Sequence, residues 1–381
     1  MVKQYDYLVV GAGLFGSIFA REATDRGKRV LVIDRRNHIA GNVYTRDVGG
    51  IHVHEYGPHI FHTSQEYIWN YVTRFAAFNN FTLRTKASYG GRLYSLPINL
   101  YTMHQIWPDV ITPADAIAKL ASEVRPNPNP ANLEEHMLAQ VGPTLYEMFV
   151  KGYTEKQWGR SATQLPASII KRLPVRLTMN DRYFHDSHRW EGIPIGGYTK
   201  LVENMLVGIE VRLGIDYLKD RVQLNELANK VVYSGPIDAF FDYAEGHLEY
   251  RSLRFETEER AGDYQGNAII NYTESSVPHT RIVEHKHFEF KDTEHTVITR
   301  EYPAAYTGTN EPYYPVNDAI NNAIFDRYRE RTASVTNVIF GGRLASYRYY
   351  DMDMTVGNAL TQVEKEFGAG MEFALKKPLR K

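Results

Sequence analysis

Apolar and polar positions change period three times along the chain. The runs YDYLVV (5–10) and RVLVID (29–34) are nearly continuous in apolar residues, and GLFGSIFAREAT between them carries apolar residues at helical spacing. This pattern predicts a strand–helix–strand unit whose parallel strands are buried on both faces. Over 102–150 the strand signal disappears, and ADAIAKLASEV and LEEHMLAQVGPTLYEMFVKG read as helices separated by the loop RPNPNPAN. Asn132 is the N-cap of the second, with Glu135 as its capping-box partner. GGYTKLVENMLVGIEVRLGI reads as a helix and strand returning to the first sheet, whereas LEYRSLRFETEE, NAIINYTE, TRIVEHKHFEF and HTVITREYP alternate as half-buried antiparallel strands. VIFGGRLASYRYYDMDMTVGNALTQVEKEF then adds a strand, a glycine pair at 341–342 and a helix starting around Met354–Gly357. The expected organisation is α/β. A discontinuous nucleotide-binding domain (1–76, 191–242 and 316–381) is interrupted by a helical insertion domain (100–170) and an antiparallel β-sheet domain (77–99, 171–190 and 243–315).

The first turn gives that unit its chemistry. Gly11, Gly13 and Gly16 form G-x-G-x-x-G between strand and helix, and Leu14 and Phe15 open the helix. Gly11 permits the tight turn, Gly13 lets backbone approach a pyrophosphate, Gly16 lets helix and strand pack closely, and the helix N-terminus faces the anion. Asp34, at the end of the second strand, stands where an acid bonds an adenosine ribose. This is a Rossmann-like fingerprint with a parallel sheet, and the acid favours FAD or NAD over NADP, with Arg35 and Arg36 beside it leaving that choice open. The basic turn, then Gly41 and Asn42, resembles the continuation seen in FAD enzymes. The second glycine turn and second helix N-terminus suit a long flavin dinucleotide, so FAD is the expected cofactor.

Composition narrows the partners. A chain of 381 residues with a formal net charge of −1 has room for two or three domains and advertises neither nucleic acid nor an anionic membrane as a partner. No run of about 18 apolar residues occurs, and the opening residues pass straight into a strand, so a soluble cytoplasmic protein is expected. Cysteine is absent, which excludes a dithiol relay to a flavin. The 27 tyrosines suit a wet pocket that must still stack something flat. His59 and His62 in YGPHIFHT are a partial metal-ligand set with no obvious third partner. A turn fixed by Gly57 and Pro58, laying His59 near the cofactor, fits better, and no metal is expected.

FVKGYTEKQWGRSATQLPASIIKRLPVR (149–176) places Phe149 and Tyr153 four apart, then Trp158, Gly159, Arg160 and Arg172 where a core helix would turn polar. Rings beside guanidinium groups suit a planar base attached to phosphate. GYTEKQWGRSA, IIKRLPVR, IPIGGYTKL, EYRSL, TRIVEHKHF, EPYYPVND and FGGRLASYRYYDM, in this order, resemble the bacterial UDP-galactopyranose mutase family from residue 5 to about 366.

The resemblance implies an FAD-dependent homodimeric isomerase of galactofuranose and cell-envelope polysaccharide biosynthesis. It interconverts UDP-galactopyranose and UDP-galactofuranose without net redox change, reduced FAD acting through N5 as nucleophile on the anomeric carbon. The flavin is kept reduced by an external donor such as NAD(P)H. Phe149, Tyr153, Thr154 and Trp158 would line the uridine and sugar pocket, with Tyr183 at the nucleotide end and Arg251 and Asn271 also on the substrate. Arg172 and Arg281 would hold the diphosphate, and Tyr314 would reach a phosphate. Arg343 would approach the flavin or its pyrophosphate, and Tyr349 and Asp351 would sit at the substrate and flavin edge, with Tyr350 and Met352 on the cofactor. Each has a bland alternative: core packing for Phe149 and Tyr153, a solvated loop charge for Arg172, a cross-strand ion pair for Arg281, a sheet-face charge for Arg251. Residues 160–176 are expected to close over bound UDP. The rival activities are a flavin oxidoreductase of amine-oxidase-like fold and a non-catalytic nucleotide-sugar binding module.

Overall fold

The computed structural model describes residues 3–167 and 175–368. The chain forms two compact units, one of residues 1–80, 189–250 and 312–381, the other of 81–188 and 251–311.

In the first unit, β1 (Tyr5–Val10), α1 (Leu14–Thr24) and β2 (Val30–Asp34) form the anticipated strand–helix–strand. The strands pair in parallel with Val9 opposite Val32, and on its other side β1 pairs in parallel with Ala228–Tyr233, Val9 opposite Val232. Val338–Phe340 and Glu210–Leu213 complete a five-stranded parallel sheet at its two edges. The strand order reverses at β1, which has β2 on one side and Ala228–Tyr233 on the other, and Gly11 begins the turn at its C-terminal end, the position where open α/β sheets bind their ligands. The helix Gly197–Met205 and the strand Glu210–Leu213 do return to this sheet, as their pattern implied. The last helix starts two residues earlier than expected, at Met352, with Asp351 as N-cap, and runs to Phe367. It is held near its end by the Tyr7 hydroxyl, which donates to Glu366 at 2.6 Å.

The second unit holds helices and an antiparallel sheet. Thr112 caps Pro113–Glu123 through a reciprocal box with Asp115, and Pro lies in the helix's first turn, where a missing N–H costs nothing. Asn132 accepts from the Glu135 N–H at 2.9 Å, as anticipated, but Glu135 reaches back to the Ala131 N–H and the Asn132 side chain. Residues 133–152 are not one regular helix. Gly142 takes φ +75° before Pro143, which lacks an N–H, and Glu147–Lys151 widens into a π-turn. That extra residue per turn shifts Tyr153 relative to Phe149, so their spacing of four does not place them on one α-helical face.

The long strands Tyr250–Ala261 and His295–Ala305 pair antiparallel, and Arg281–Glu284 lies between His295–Ala305 and Ile269–Tyr272. Two features depart from the expected antiparallel meander. Ile269–Tyr272 pairs in parallel with Lys86–Tyr89, a contact between segments far apart in sequence. TRIVEHKHFEF is a strand only to Glu284, and His285–Glu289 turns into a 3₁₀ segment that buries His285 and Phe288. The apolar cluster between these helices and the sheet includes Tyr94, Leu133, Met137, Leu145, Tyr146 and Phe149.

Candidate functional site

The first unit brings the glycine turns together. Gly11 takes φ +106°, and a Cβ there would fall 2.2 Å from Ser234 Oγ, so this position accepts only glycine. At Gly16 a Cβ would fall 1.9 Å from the Gly11 carbonyl oxygen, which is the close helix–strand approach the fingerprint requires. Gly13 is different: its φ is ordinary, and a Cβ would meet only Gly41 Cα, at 3.7 Å. Packing within the chain does not require glycine there, and the missing side chain leaves that side of the turn open to a ligand. α1 begins at Leu14 with no side chain capping its N–H groups, the arrangement that receives an anion.

Asp34 is buried, and its two carboxylate oxygens accept from the Ala12 N–H at 2.8 Å and the Arg36 N–H at 2.9 Å. The acid thus clamps the glycine turn while its remaining lone pairs stay available to a ribose hydroxyl. Of the two adjacent arginines, Arg35 is exposed, whereas Arg36 donates to Asn42 at 2.9 Å and lies 4.3 Å over the Tyr56 ring. Arg36 and Tyr56 are site neighbours that the expected set left out, and only the basic turn itself pointed to the arginine. His59 directs Nδ1 to the Gly57 carbonyl at 2.7 Å, so Nδ1 carries a proton and donates it there.

Phe15 links the two glycine turns. A Cβ on Gly341 would fall 2.0 Å from its ring, and Gly342, at φ +80°, takes up the same contact at 3.4 Å. Arg343 donates to the Tyr313 and Tyr350 carbonyls at 3.2 and 2.6 Å and lies 5.3 Å from the Tyr349 ring centre. Tyr349 stacks on Tyr314, their ring centres 5.3 Å apart at 13°. Asp351 and Met352 begin the second helix, in whose first turn the Met354 N–H donates to the Asp353 carboxylate at 2.7 Å. Of the adjacent pair, the stacked ring is Tyr349, while Tyr350 contributes its carbonyl.

The second unit gathers another set. Asn271, Arg281 and Glu301 stand directly opposite one another on three adjacent strands, on one face of the sheet. Glu301 is fully buried and receives Nε and Nη2 of Arg281 at 3.0 and 2.8 Å. The cross-strand ion pair is therefore present, and it fixes the guanidinium plane beside Asn271. The helix Gly152–Trp158 ends at Gly159, φ +64°, and Arg251 donates from Nε to the Gln157 carbonyl at 3.1 Å while its fork presses on Gly159. Burial, and then the nearby Arg160, pull the Arg251 guanidinium below its usual range. Two cations held close, one half-buried, create a site that favours an anion.

Phe149 is a core residue, edge-on to Tyr94 at 5.4 Å, and Thr154 is buried, whereas Tyr153 and Trp158 are half-exposed. Tyr183 is held through its backbone N–H on the Leu83 carbonyl at 2.8 Å. Arg172 lies outside the described residues, as does much of the 160–176 segment expected to close. His62 is buried in the strand Phe61–Thr63. Among the described residues, Asp263, Glu284 and His287 come close enough to hold a cation. Lys286 pairs with Asp263 at 2.8 Å, and Glu284 accepts from the Tyr264, Gln265 and Gly266 N–H groups, so this cluster clips a loop.

Comparison with known proteins places this arrangement. A probable UDP-galactopyranose mutase of Klebsiella pneumoniae is 42% identical over 364 residues, 94% of each chain. The family description for UDP-galactopyranose mutase matches residues 148–349, and that for an NAD(P)-binding Rossmann-like domain matches 9–75. The chain belongs to the UDP-galactopyranose mutase family. A dTDP-fucopyranose mutase of Escherichia coli is 39% identical over 93% of this chain and 96% of its own. A crystal structure of reduced UDP-galactopyranose mutase shares the fold at a TM-score of 0.74 over 97% of both chains, at 12% identity. The mutase family match spans the Trp158 helix, the Asn271–Arg281–Glu301 row and the Arg343–Tyr349 turn, while the Gly11–Asp34 cradle and His59 lie in the stretch matched by the Rossmann-like description.

Proposed function

We propose that this chain interconverts UDP-galactopyranose and UDP-galactofuranose on a bound FAD kept reduced, with no net redox change. The observation that carries the reading is the coexistence of two built sites. One is a dinucleotide cradle that leaves room at Gly13. The other, in the second unit and within the family-matched stretch, offers the Asn271–Arg281–Glu301 row and, at the end of the Trp158 helix, Arg251.

The residues of the cradle fit FAD. The uncapped N-terminus at Leu14 would receive its pyrophosphate and the helix start at Met352 its far end, Asp34 the adenosine ribose, and Asn42, Arg343 and His59 its flanks. Reduced flavin would supply the nucleophile for the anomeric carbon. The protein's part is positioning and charge neutralisation. Arg281, its plane fixed by Glu301, donates to the substrate diphosphate. Arg251 and Arg172 add further cationic donors, Tyr153, Trp158 and Tyr183 enclose the nucleotide and sugar, and Tyr314 and Tyr349 offer hydroxyls to phosphate and sugar. Phosphate is better met by arginine forks than by lysine because the planar fork binds two oxygens at once.

We further read the chain as a cytoplasmic homodimer whose flavin is reduced by an external donor such as NAD(P)H. Among the described residues, no helix is long and apolar enough to cross a membrane.

The test is turnover of UDP-galactose and dTDP-fucose, in parallel, by oxidised and by chemically reduced holoprotein. Ring contraction of the UDP-sugar by the reduced form alone, with no electron acceptor consumed, is the expected result. Stoichiometric consumption of an acceptor would instead identify an oxidoreductase. A preference for dTDP-fucose would move the substrate to the chemistry named for the second relative.

A further inference from the structure

The helix Gly152–Trp158 lies against backbone. A Cβ on Gly152 would fall 2.4 Å from the Thr273 carbonyl oxygen and 2.9 Å from the Ser275 nitrogen, so this helix packs directly on the connection between the strands Ile269–Tyr272 and Arg281–Glu284. One turn further on, Lys156 extends its ammonium over the same connection. It donates to the Tyr272, Val277 and His279 carbonyls at 2.7, 2.8 and 3.1 Å. All three N–H groups are used, and no carboxylate forms an ion pair with Lys156 among the described residues.

This is an expensive way to hold a loop. Burial pulls the Lys156 ammonium down to about 8, and the Glu274 carboxylate opposes that pull only weakly. A lysine that only packed there could keep its stem in place and turn its head to water. Instead three carbonyls from one connection converge on it. The ends of that connection are tied separately: the Thr273 N–H donates to the Ser88 carbonyl at 3.2 Å and the Thr280 N–H to the Glu301 carbonyl at 2.9 Å. What Lys156 adds is a link from this doubly anchored connection to the helix.

We infer that Lys156 is a positioning residue of the substrate site, a three-carbonyl clasp that sets the distance between the Tyr153–Trp158 helix and the Asn271–Arg281 strands. The inference rests on the mutase reading above. Tyr153 and Trp158 stand on the clasped helix, and Asn271 and Arg281 flank the clasped connection, so both sets meet one ligand only while the helix keeps its seat. Gly152 provides the close approach and Lys156 locks it.

The experiment uses reduced, FAD-loaded enzyme. Lys156→Met keeps the apolar stem and removes the donors. KM for UDP-galactose and the dissociation constant of UDP should rise about tenfold, while kcat stays within about twofold, because the lost interaction serves ground state and transition state alike. FAD occupancy should be unchanged, and amides 273–280 should exchange faster. Lys156→Arg, which keeps a cation with several donors, should recover part of the loss. A purely structural lysine would lower the melting temperature and leave KM untouched, and that result overturns the inference. If Lys156→Met does not fold, Lys156→Gln, whose amide cannot donate to three carbonyls, takes its place, and wild-type KM and UDP affinity in that variant overturn it equally. If the wild type itself fails to turn over, the mutase reading falls, and the clasp is then judged on UDP binding to the oxidised holoprotein: unchanged affinity in Lys156→Met refutes it, and about tenfold weaker binding supports it.

Discussion

Replacing Asp34 by Asn tests the double duty assigned to this carboxylate. In the folded chain one oxygen accepts from the Ala12 N–H at 2.8 Å and the other from the Arg36 N–H at 2.9 Å. An amide of the same shape has a single oxygen, so whichever way it turns, one of these backbone N–H groups faces an NH₂ donor. A hydrogen bond to a charged group contributes about 1.5–3 kcal/mol, and leaving the Ala12 N–H unpaired in a buried turn costs a comparable amount. For a unit of this size, each kcal/mol lowers the melting temperature by about 2–4 °C, so apoprotein should melt roughly 3–12 °C lower. FAD affinity should fall separately, by roughly 10- to 150-fold, because the bond from the carboxylate to the ribose loses its charge. Differential scanning fluorimetry of apoprotein and fluorescence titration with FAD read the two effects independently. If Asp34→Asn melts with wild type and binds FAD equally tightly, the clamp contributes nothing and the reading of this acid is wrong. Loss of FAD affinity at unchanged apoprotein stability would leave the ribose contact and remove the clamp.

Gly341→Ala puts a methyl into the Phe15 ring, 2.0 Å away at its nearest atom, so it should destabilise by about 1–3 kcal/mol and weaken FAD binding. Adding Phe15→Leu should recover part of both, as thermal melts and FAD titration of the double variant would show. Glu284 gives an acid-limb prediction: burial raises its carboxyl, but His287 and the Tyr264 and Gln265 N–H groups outweigh that and hold it at about 2. Its contribution is complete above the unfolded value of 4.5 and is lost as pH falls from there through about 2, a loss of roughly 3 kcal/mol. Glu284→Gln should therefore be less stable at neutral pH by about that amount and show a flatter decline in urea midpoint below pH 4.5.

How much of this was legible in the residues follows from the range of each interaction. The strand–glycine–helix–strand unit is local: Gly11, Gly13, Gly16 and Asp34 lie within one βαβ span, and their spacing by itself determined the turn and the helix N-terminus and pointed to a dinucleotide. The caps at Thr112 and Asn132 are local too, since a side chain three residues away satisfies an orphaned N–H whatever the rest of the chain does. The order of short words from residue 5 to about 366 carried the family in the same way. Tertiary structure alone decided the rest. Parallel pairing of Ile269–Tyr272 with Lys86–Tyr89 joins segments that no period relates. Alternation in EHKHFEF looked like a strand because period 2 over a few residues does not reveal that no partner continues beyond Glu284. The π-turn at Glu147–Lys151 follows a Gly–Pro break visible in the sequence, but the widened turn that moves Tyr153 away from Phe149 belongs to the packed core. Glu301 and Lys156 carried no signal, because a buried carboxylate is read only through the arginine on the next strand, and a lysine among polar helical residues looks solvated until three carbonyls from a distant connection are found around it. Sequence determines which backbone groups need partners nearby; only the folded chain decides which distant groups come to supply them.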